Sequence, residues 1–319
     1  MIKHLLFAAA LASAATLTGT VEPAHAGAPL AKTGNPGYYR MMLGDFEVTA
    51  LSDGTVALPV DTLLAAPKAK IEAALAKAYQ KPPVETSVNA YLINTGTKLV
   101  LIDAGAGTLF GPTLGKLLTS LGNAGYKPEQ IDEIYITHMH PDHVGNLVVN
   151  GKIAFPNAIV RAGKGDADTF LSKENLEKAP AAMKGFFQGA QASLNPYVTA
   201  NKFKAIEADG ELVPGIKAVG SSGHTPGHTF YQVESKGQKL VVWGDLIHVA
   251  AVQLPEPAIT IQFDSDQKKA GAERKKAFAD AAKAGYFVAI AHFSFPGIGQ
   301  LRTDGAGYRW LPVNYSPAK

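Results

Sequence analysis

The stretch Thr137-His138-Met139-His140-Pro141-Asp142-His143 follows Ile134-Tyr135-Ile136 without a break, and it restricts the fold more than any other part of the chain. Three β-branched or aromatic residues predict a short buried strand, which puts the polar run on a loop at that strand's C-terminal end. The pattern recurs downstream. Asp245 ends Leu240-Val241-Val242-Trp243-Gly244, His292 follows the strand-like Tyr286 to Ala291, and His224 lies in the loop Gly223-His224-Thr225-Pro226-Gly227-His228. Side chains at such boundaries are held by a scaffold and still reach a ligand. The chain must therefore fold so that several strand ends share one edge.

The residue types at those ends indicate metal chemistry. With nine histidines and no cysteine in the chain, a metal site has to be built from imidazole and carboxylate. His138 and His140 can project to one ion while Asp142 and His143 reach a neighbouring point. A second ion needs a further imidazole and a carboxylate shared with the first, roles that His292 and Asp245 fit. Two ions roughly 3.5–4 Å apart can hold a bridging hydroxide and stabilise the attacking and leaving oxygens. His228 follows His224 closely, but no ligand position remains for it, and a hydrogen-bonding structural role is expected.

Around these loops the pattern alternates between strands and helices. Leu43 to Leu51 reads as a strand running into a turn at Ser52-Asp53-Gly54-Thr55, with a hairpin expected there. Ser87 to Asn94 and Lys98 to Asp103 flank Thr95-Gly96-Thr97 as a second hairpin, and Leu114, Leu117, Leu118 and Leu121 predict a one-sided helix closed by Gly122 or Gly125. Thr229 to Glu234 and Leu240 to Trp243 form a hairpin turning at Lys236-Gly237. Gln267 to Ala284 is expected to be a helix, with Ala270, Ala277, Phe278 and Ala281 on one side and Gly285 ending it. Two similar halves follow, their sheets facing each other and their helices outside, an α+β sandwich. Residues 1–26 read as an export leader: Lys3 precedes an apolar run from Leu5 to about Leu17, and Ala24-His25-Ala26 has the form of a cleavage site. Residues 27–319 are expected to form a single catalytic domain, periplasmic or secreted, with no membrane segment after cleavage. A formal net charge of +3 is too weak to indicate a nucleic-acid partner.

The string THMHPDHVGN, followed in order by GHTPGH, WGD and IAHFSFPG, resembles the signature of the metallo-β-lactamase superfamily over essentially the whole mature chain. That resemblance implies an αββα sandwich. It also implies His138, His140 and His224 on one metal, Asp142, His143 and His292 on the other, and Asp245 bridging them, with Asp103 supporting the site's loops. The bridging Asp245 counts against a β-lactamase, and the short stretch after His292 lacks the basic helical extension of a glyoxalase-type thioesterase. No basic face or RNA-gripping module indicates a nuclease. Longer stretches, among them GYYRMMLGDFEVTALSDGTVALPVD, ETSVNAYLINTG, FGPTLG, ERKKAFADAAK and SFPGIG, are similar to the methyl parathion hydrolase subfamily and its lactonase relatives. That similarity implies a homodimer, a dizinc or mixed-metal centre, and an aromatic pocket at Phe110, Phe170 and Phe186.

The chain departs from the organophosphate hydrolases of that subfamily at four positions. They carry small or aliphatic side chains where this chain has His248, Ile261 and Phe263, and an arginine where it has Leu63. His248, three residues past Asp245, is expected to border the metal cleft, and Ile261 and Phe263 to alternate in a strand-like run and point the same way. A bulkier pocket with an imidazole suits a flat ester better than a phosphotriester. The expected activity is thus hydrolysis of a lactone or aryl ester, dihydrocoumarin being the first substrate to try, by a metal-bridging hydroxide that Asp142 and Asp245 orient. An organophosphate phosphotriesterase is the alternative within the same chemistry, and a non-catalytic metal-binding protein the alternative outside it.

Overall fold

In β4 the sequence Leu99-Val100-Leu101-Ile102 is apolar at every position because each face of its sheet is covered: Leu99 and Leu101 pack under helices, while Val100 and Ile102 face a second sheet. The computed structural model describes residues 27–28, 30–207 and 209–316, and the expected leader, residues 1–26, lies outside them. The chain divides into Met1–Asn35, whose described residues hold no helix or strand, and Pro36–Lys319, which carries every element named below.

The first sheet takes β1 (Tyr38–Leu43), β2 (Phe46–Leu58), β3 (Val84–Asn94), β4 (Leu99–Ile102) and β5 (Glu133–Ile136) in sequence order. A small ribbon of β6 (Val148–Val149) and β7 (Lys152–Ile153) lies apart, and β8 (Ile159–Gly163) and β9 (Phe203–Ile206) complete seven strands. Strands β1 to β4 are antiparallel, and β4, β5, β8 and β9 are parallel. The second sheet runs β10 (Gly210–Val213), β11 (Ile216–Gly220), β12 (Thr229–Ser235), β13 (Gln238–Val242), β14 (Phe287–Ala289), β15 (Ile298–Asp304) and β16 (Gly307–Pro312), with one parallel pair, β13 and β14.

The helices are α1 (Val60–Leu63), α2 (Lys68–Lys77), α3 (Leu117–Asn123), α4 (Pro141–Val144), α5 (Lys164–Phe170), α6 (Lys173–Lys178), α7 (Lys184–Thr199), α8 (Ala250–Gln253) and α9 (Gln267–Ala284). Between the sheets, Val48, Tyr91, Ile93 and Tyr135 meet Ile216, Tyr231, Val233 and Val242. Outside the first sheet, Leu117 and Leu121 of α3 and Leu194 and Tyr197 of α7 cover Leu92, Ile134 and Val160. Outside the second, Ala277, Phe278 and Ala281 of α9 cover Val241, Trp243 and Val288, with the Phe278 ring stacked on Trp243 at 5.6 Å. The result is the expected α+β, αββα sandwich. Among the described residues no helix is long and apolar enough to cross a membrane.

Helix α9 begins and ends where its sequence directs. Asp266 accepts a hydrogen bond from Lys269 N at 2.9 Å, and Gly285 takes the left-handed conformation that closes the last turn. The hairpin at Lys236-Gly237 is also as expected, both residues having positive φ. The first hairpin differs. Its turn is Gly44-Asp45, and β2 runs straight through Ser52-Asp53-Gly54-Thr55, which forms a β-bulge. Asp53 is buried there and accepts from Ala106 N, Gly115 N, Leu117 N and Asn146 Nδ2 at 2.8–3.0 Å. Leu114 stands outside the helix it was expected to open, in a separate small cluster with Val88 and Ala106.

Candidate metal centre

Strand β5 ends at Ile136, and Thr137 carries the chain to the edge where β11, β13 and β14 also end. Asp103, just past β4, has φ +63°, a conformation an aspartate tolerates, and its carboxylate takes Thr137 N at 2.7 Å and His143 Nδ1 at 2.8 Å. The support role expected of Asp103 is thus visible in its hydrogen bonds: those from Thr137 N and Oγ1 fix the start of the motif loop, and that from His143 Nδ1 leaves His143 Nε2 facing inward. His292 is turned likewise by Nδ1 donating to Ser87 O at 2.9 Å, and His224 by Nδ1 donating to Asp264 Oδ1 at 2.8 Å.

Two ligand groups result, His138 with His140, His224 and Asp245, and Asp142 with His143, Asp245 and His292. Asp245 divides its oxygens between them. Its Oδ2 lies 3.5 Å from His138 Nε2 and 3.3 Å from His224 Nε2, and its Oδ1 lies 3.1 Å from His143 Nε2 and 3.0 Å from His292 Nε2. Asp142 Oδ2 stands 3.6 and 3.5 Å from the same two imidazoles, and His140 Nδ1 is 3.1 Å from His224 Nε2. Donors bonded at about 2.0–2.1 Å in a tetrahedral shell are spaced roughly 3.3 Å apart, so these separations match the edges of two such shells sharing Asp245.

The electrostatics demand positive charge at the same place. His138 Nε2, His143 Nε2 and Asp245 Oδ1 are buried without a hydrogen-bond partner, a costly state for polar atoms. Burial drives His138 and His140 well below the ordinary imidazole pKa. Burial would do the same to His143 and His224. Asp245, Asp103 and Asp142 outweigh it at His143, which is pushed well above its ordinary value, and Asp245 and Asp264 push His224 up to about 9. Asp245 is itself buried, yet His292, His143 and His138 hold it well below the carboxylate range. Two divalent ions would meet every one of these demands, and the donor set of imidazole and carboxylate suits them.

His228 takes no ligand position. Its Nδ1 donates to Ser221 O at 3.1 Å and its Nε2 accepts from Asp245 N at 3.2 Å, so it fixes the backbone of the shared carboxylate. Burial lowers its pKa to about 3 and keeps it neutral for that task. Three buried carboxylates that sequence patterns did not single out for the site support it from behind: Asp53, described above, Asp264 and Asp166. Asp166 of α5 accepts from Met139 N at 2.8 Å, Thr225 Oγ1 at 2.9 Å and Gly227 N at 2.6 Å, tying the His138–His140 loop to the His224 loop.

The aromatic positions surround the centre unequally. Phe170 and Phe186 set their rings against the His140 imidazole at 5.7 and 4.8 Å, nearly perpendicular to it. Phe110 is 40% exposed and, with Phe186, Leu109, Pro141 and Ala192, lines an apolar cavity of about 390 Å³. His248 Nε2 donates to Asp245 Oδ2 across 3.0 Å and its ring stacks on His292 at 5.0 Å. Phe263 stands 6.1 Å from both His248 and Phe186. Ile261 and Phe263 belong to a turn closed by Asp264 N on Ile261 O, not to a strand. Ile261 is 0% exposed in a core with Val60, Leu64 and Val249, and Leu63 packs partly buried on that core.

The sequence model of the metallo-β-lactamase superfamily matches residues 83–292. A solved hydrolase in the β-lactamase superfamily, AbOPH, is 37% identical, with a TM-score of 0.84 over 89% of this chain and 100% of that one. AidC, a dizinc quorum-quenching lactonase solved with a product, is 27% identical, with a TM-score of 0.81 over 88% of this chain and 98% of that one. An N-acyl homoserine lactonase of Bacillus cereus is 29% identical over 127 residues, which are 40% of this chain and 42% of the lactonase. The chain thus matches less than half the length of that curated relative. The ligand-bearing strand ends, the paired sheets and these matches agree: the chain belongs to the metallo-β-lactamase superfamily.

Proposed function

We propose that the protein is a two-metal hydrolase of lactones and aryl esters, with an aromatic lactone such as dihydrocoumarin as its test substrate. One observation carries the reading: a single buried carboxylate, Asp245, gives one oxygen to each of two ligand groups beside an aromatic wall. Divalent ions held by His138, His140 and His224, by Asp142, His143 and His292, and by Asp245 between them would supply Lewis acidity and an activated water. The side chains do the rest. Asp142, with a side chain 18% exposed against 3% for Asp245, is the ligand carboxylate nearest solvent, placed to receive the proton of the attacking water. Phe170 and Phe186 shield His140 from water and give a flat ring an apolar surface, with Phe110 at the outer rim and Phe263 opposite. His248 narrows the floor beside Asp245, which favours a planar ester over a tetrahedral phosphotriester.

Lactonases among both the curated relatives and the solved structures support the lactone class. The donor set supports zinc as the resident ion. The leader pattern supports export of residues 27–319, and the subfamily resemblance supports a homodimer, which size-exclusion chromatography with light scattering will check. The decisive assay compares kcat/KM for dihydrocoumarin, an N-acyl homoserine lactone and methyl paraoxon on metal-loaded protein, with a chelated control. A preference for the phosphotriester would reverse the reading, and no turnover of any ester would leave a metal-binding protein without this chemistry.

A further inference from the structure

Helix α9 lies outside the second sheet, yet one of its side chains reaches the segment that backs two of the proposed metal ligands. Arg274 is among the largest fully buried side chains described. Its Nε donates to Leu246 O at 2.6 Å, its Nη1 to Ile259 O at 2.8 Å and Pro257 O at 3.2 Å, and its Nη2 stands 3.5 Å from Asp264 Oδ2. Leu246 follows the shared ligand Asp245. Asp264 Oδ1 holds His224 Nδ1, and its Oδ2 also accepts from Ile261 N at 3.1 Å. One guanidinium therefore grips both ends of the segment from Asp245 to Asp264. A buried arginine is costly unless its donors are met, and here they are met almost wholly by carbonyls of that segment.

We propose that Arg274 and Asp264 form a positioning relay that sets the His224 imidazole, and so tunes selectively the one ion site to which His224 belongs. The proposal rests on the two-metal reading above. The asymmetry is on the molecule: His143 and His292, in the other group, are oriented by Asp103 and by Ser87 O, which touch neither Arg274 nor Asp264. An arginine suits the task because its fixed fork addresses three carbonyls and a carboxylate together, which a lysine cannot do. Weakening the relay should loosen the group containing His138, His140 and His224 and spare the group of Asp142, His143 and His292.

The test uses zinc- or cobalt-loaded protein. Wild type, Asp264→Asn, Arg274→Lys and Asp103→Asn are titrated with a chelator while bound metal per chain and the cobalt absorption spectrum are followed, and near-UV circular dichroism confirms that each loaded variant is folded. The expected result is biphasic release from Asp264→Asn and Arg274→Lys, with one ion lost about 10- to 100-fold more readily than in wild type and the other unchanged. Asp103→Asn should instead release both ions more readily, because Asp103 orients His143 and also holds Thr137 at the start of the loop that carries His138 and His140. A double variant of Asp264 and Arg274 should lose little more than Asp264→Asn alone. Retention of both ions at wild-type affinity by the Asp264 and Arg274 variants, or equal loss of both from them, overturns the relay. If wild type itself binds no stoichiometric metal, the two-metal reading fails instead.

Discussion

An asparagine at position 245 would keep the shape of the side chain but turn an N–H₂ group toward either His143 and His292 or His138 and His224, where an oxygen now faces each pair. Asp245→Asn should therefore bind fewer than two ions and lose about 100-fold or more in kcat/KM, at or beyond the upper end of what supporting residues cost. Metal analysis of the purified variant checks this, and two tightly held ions would refute it. His248 acts on selectivity. Its Nε2 meets Asp245 Oδ2, and its ring lies between His292 and Phe263, so His248→Leu removes the hydrogen bond to the shared carboxylate and replaces a flat stacked ring with a branched aliphatic chain. The ratio of kcat/KM for dihydrocoumarin over methyl paraoxon should fall by about tenfold, or about 1.4 kcal/mol; an unchanged ratio removes His248 from the specificity argument. At this scale the ligands were legible because imidazoles and carboxylates clustered at strand ends have few other uses. Asp53, Asp166 and Asp264 were not, because their partners are largely backbone N–H groups and side chains brought from distant parts of the chain, and a string of residues carries no mark of such a meeting.

Elements show the same division. Helix α9 could be read to its last residue since its apolar face, cap and terminal glycine agree. Helix α7 could not: Gly185, Gly189 and Pro196 mask the spacing of Phe187, Ala190, Leu194 and Tyr197. Gly189 has a local reason, since a Cβ there would stand 2.9 Å from Pro141 Cγ in the motif helix α4. The Asp53-Gly54 pair read as a turn because such pairs usually are one, and the four hydrogen bonds to Asp53 converted it into a bulge. Packing between α9 and its sheet predicts that Phe278→Ala costs about 3–5 kcal/mol, measured by urea denaturation; a cost below about 1 kcal/mol would mean that the Trp243 stack is not core. Helix α5 makes a prediction about pH. Burial raises the Asp166 carboxyl to about 6 although three donors oppose the shift. Between the unfolded value near 4 and about 6, the folded state holds a proton that the unfolded state releases, so this group's contribution to stability is present below about pH 4 and declines by up to about 3 kcal/mol as pH rises through 6. The difference in stability between wild type and Asp166→Asn, followed from pH 4 to 7 at one metal concentration, should show that decline, and a flat difference would disprove it.

Across the whole molecule, the two ligand groups draw on both sheets. His138, His140, Asp142 and His143 come from the end of β5 in the first, and His224, Asp245 and His292 from the loops after β11, β13 and β14 in the second. Each group contains members from both sheets, so neither ion can be held by one half alone. Ions that bind only the folded chain stabilise it by roughly 2.7 kcal/mol per site at a hundredfold excess over Kd. In a domain of this size each kcal/mol moves Tm by roughly 2–4 °C, so stripping both ions should lower Tm on the order of 10 °C or more. The loss should also be shared. With the ions gone, the buried imidazoles and carboxylates face one another across the sheet edges, and the strain falls on the loops of both halves together. Hydrogen exchange on loaded and chelated protein should therefore show faster exchange in residues 137–147 of the first half and in 221–228, 243–248 and 291–294 of the second, while α2 on the periphery changes little. Loosening confined to one half, or an unaltered Tm, would mean that the centre sits on a frame already closed without it and does not clamp the two sheets.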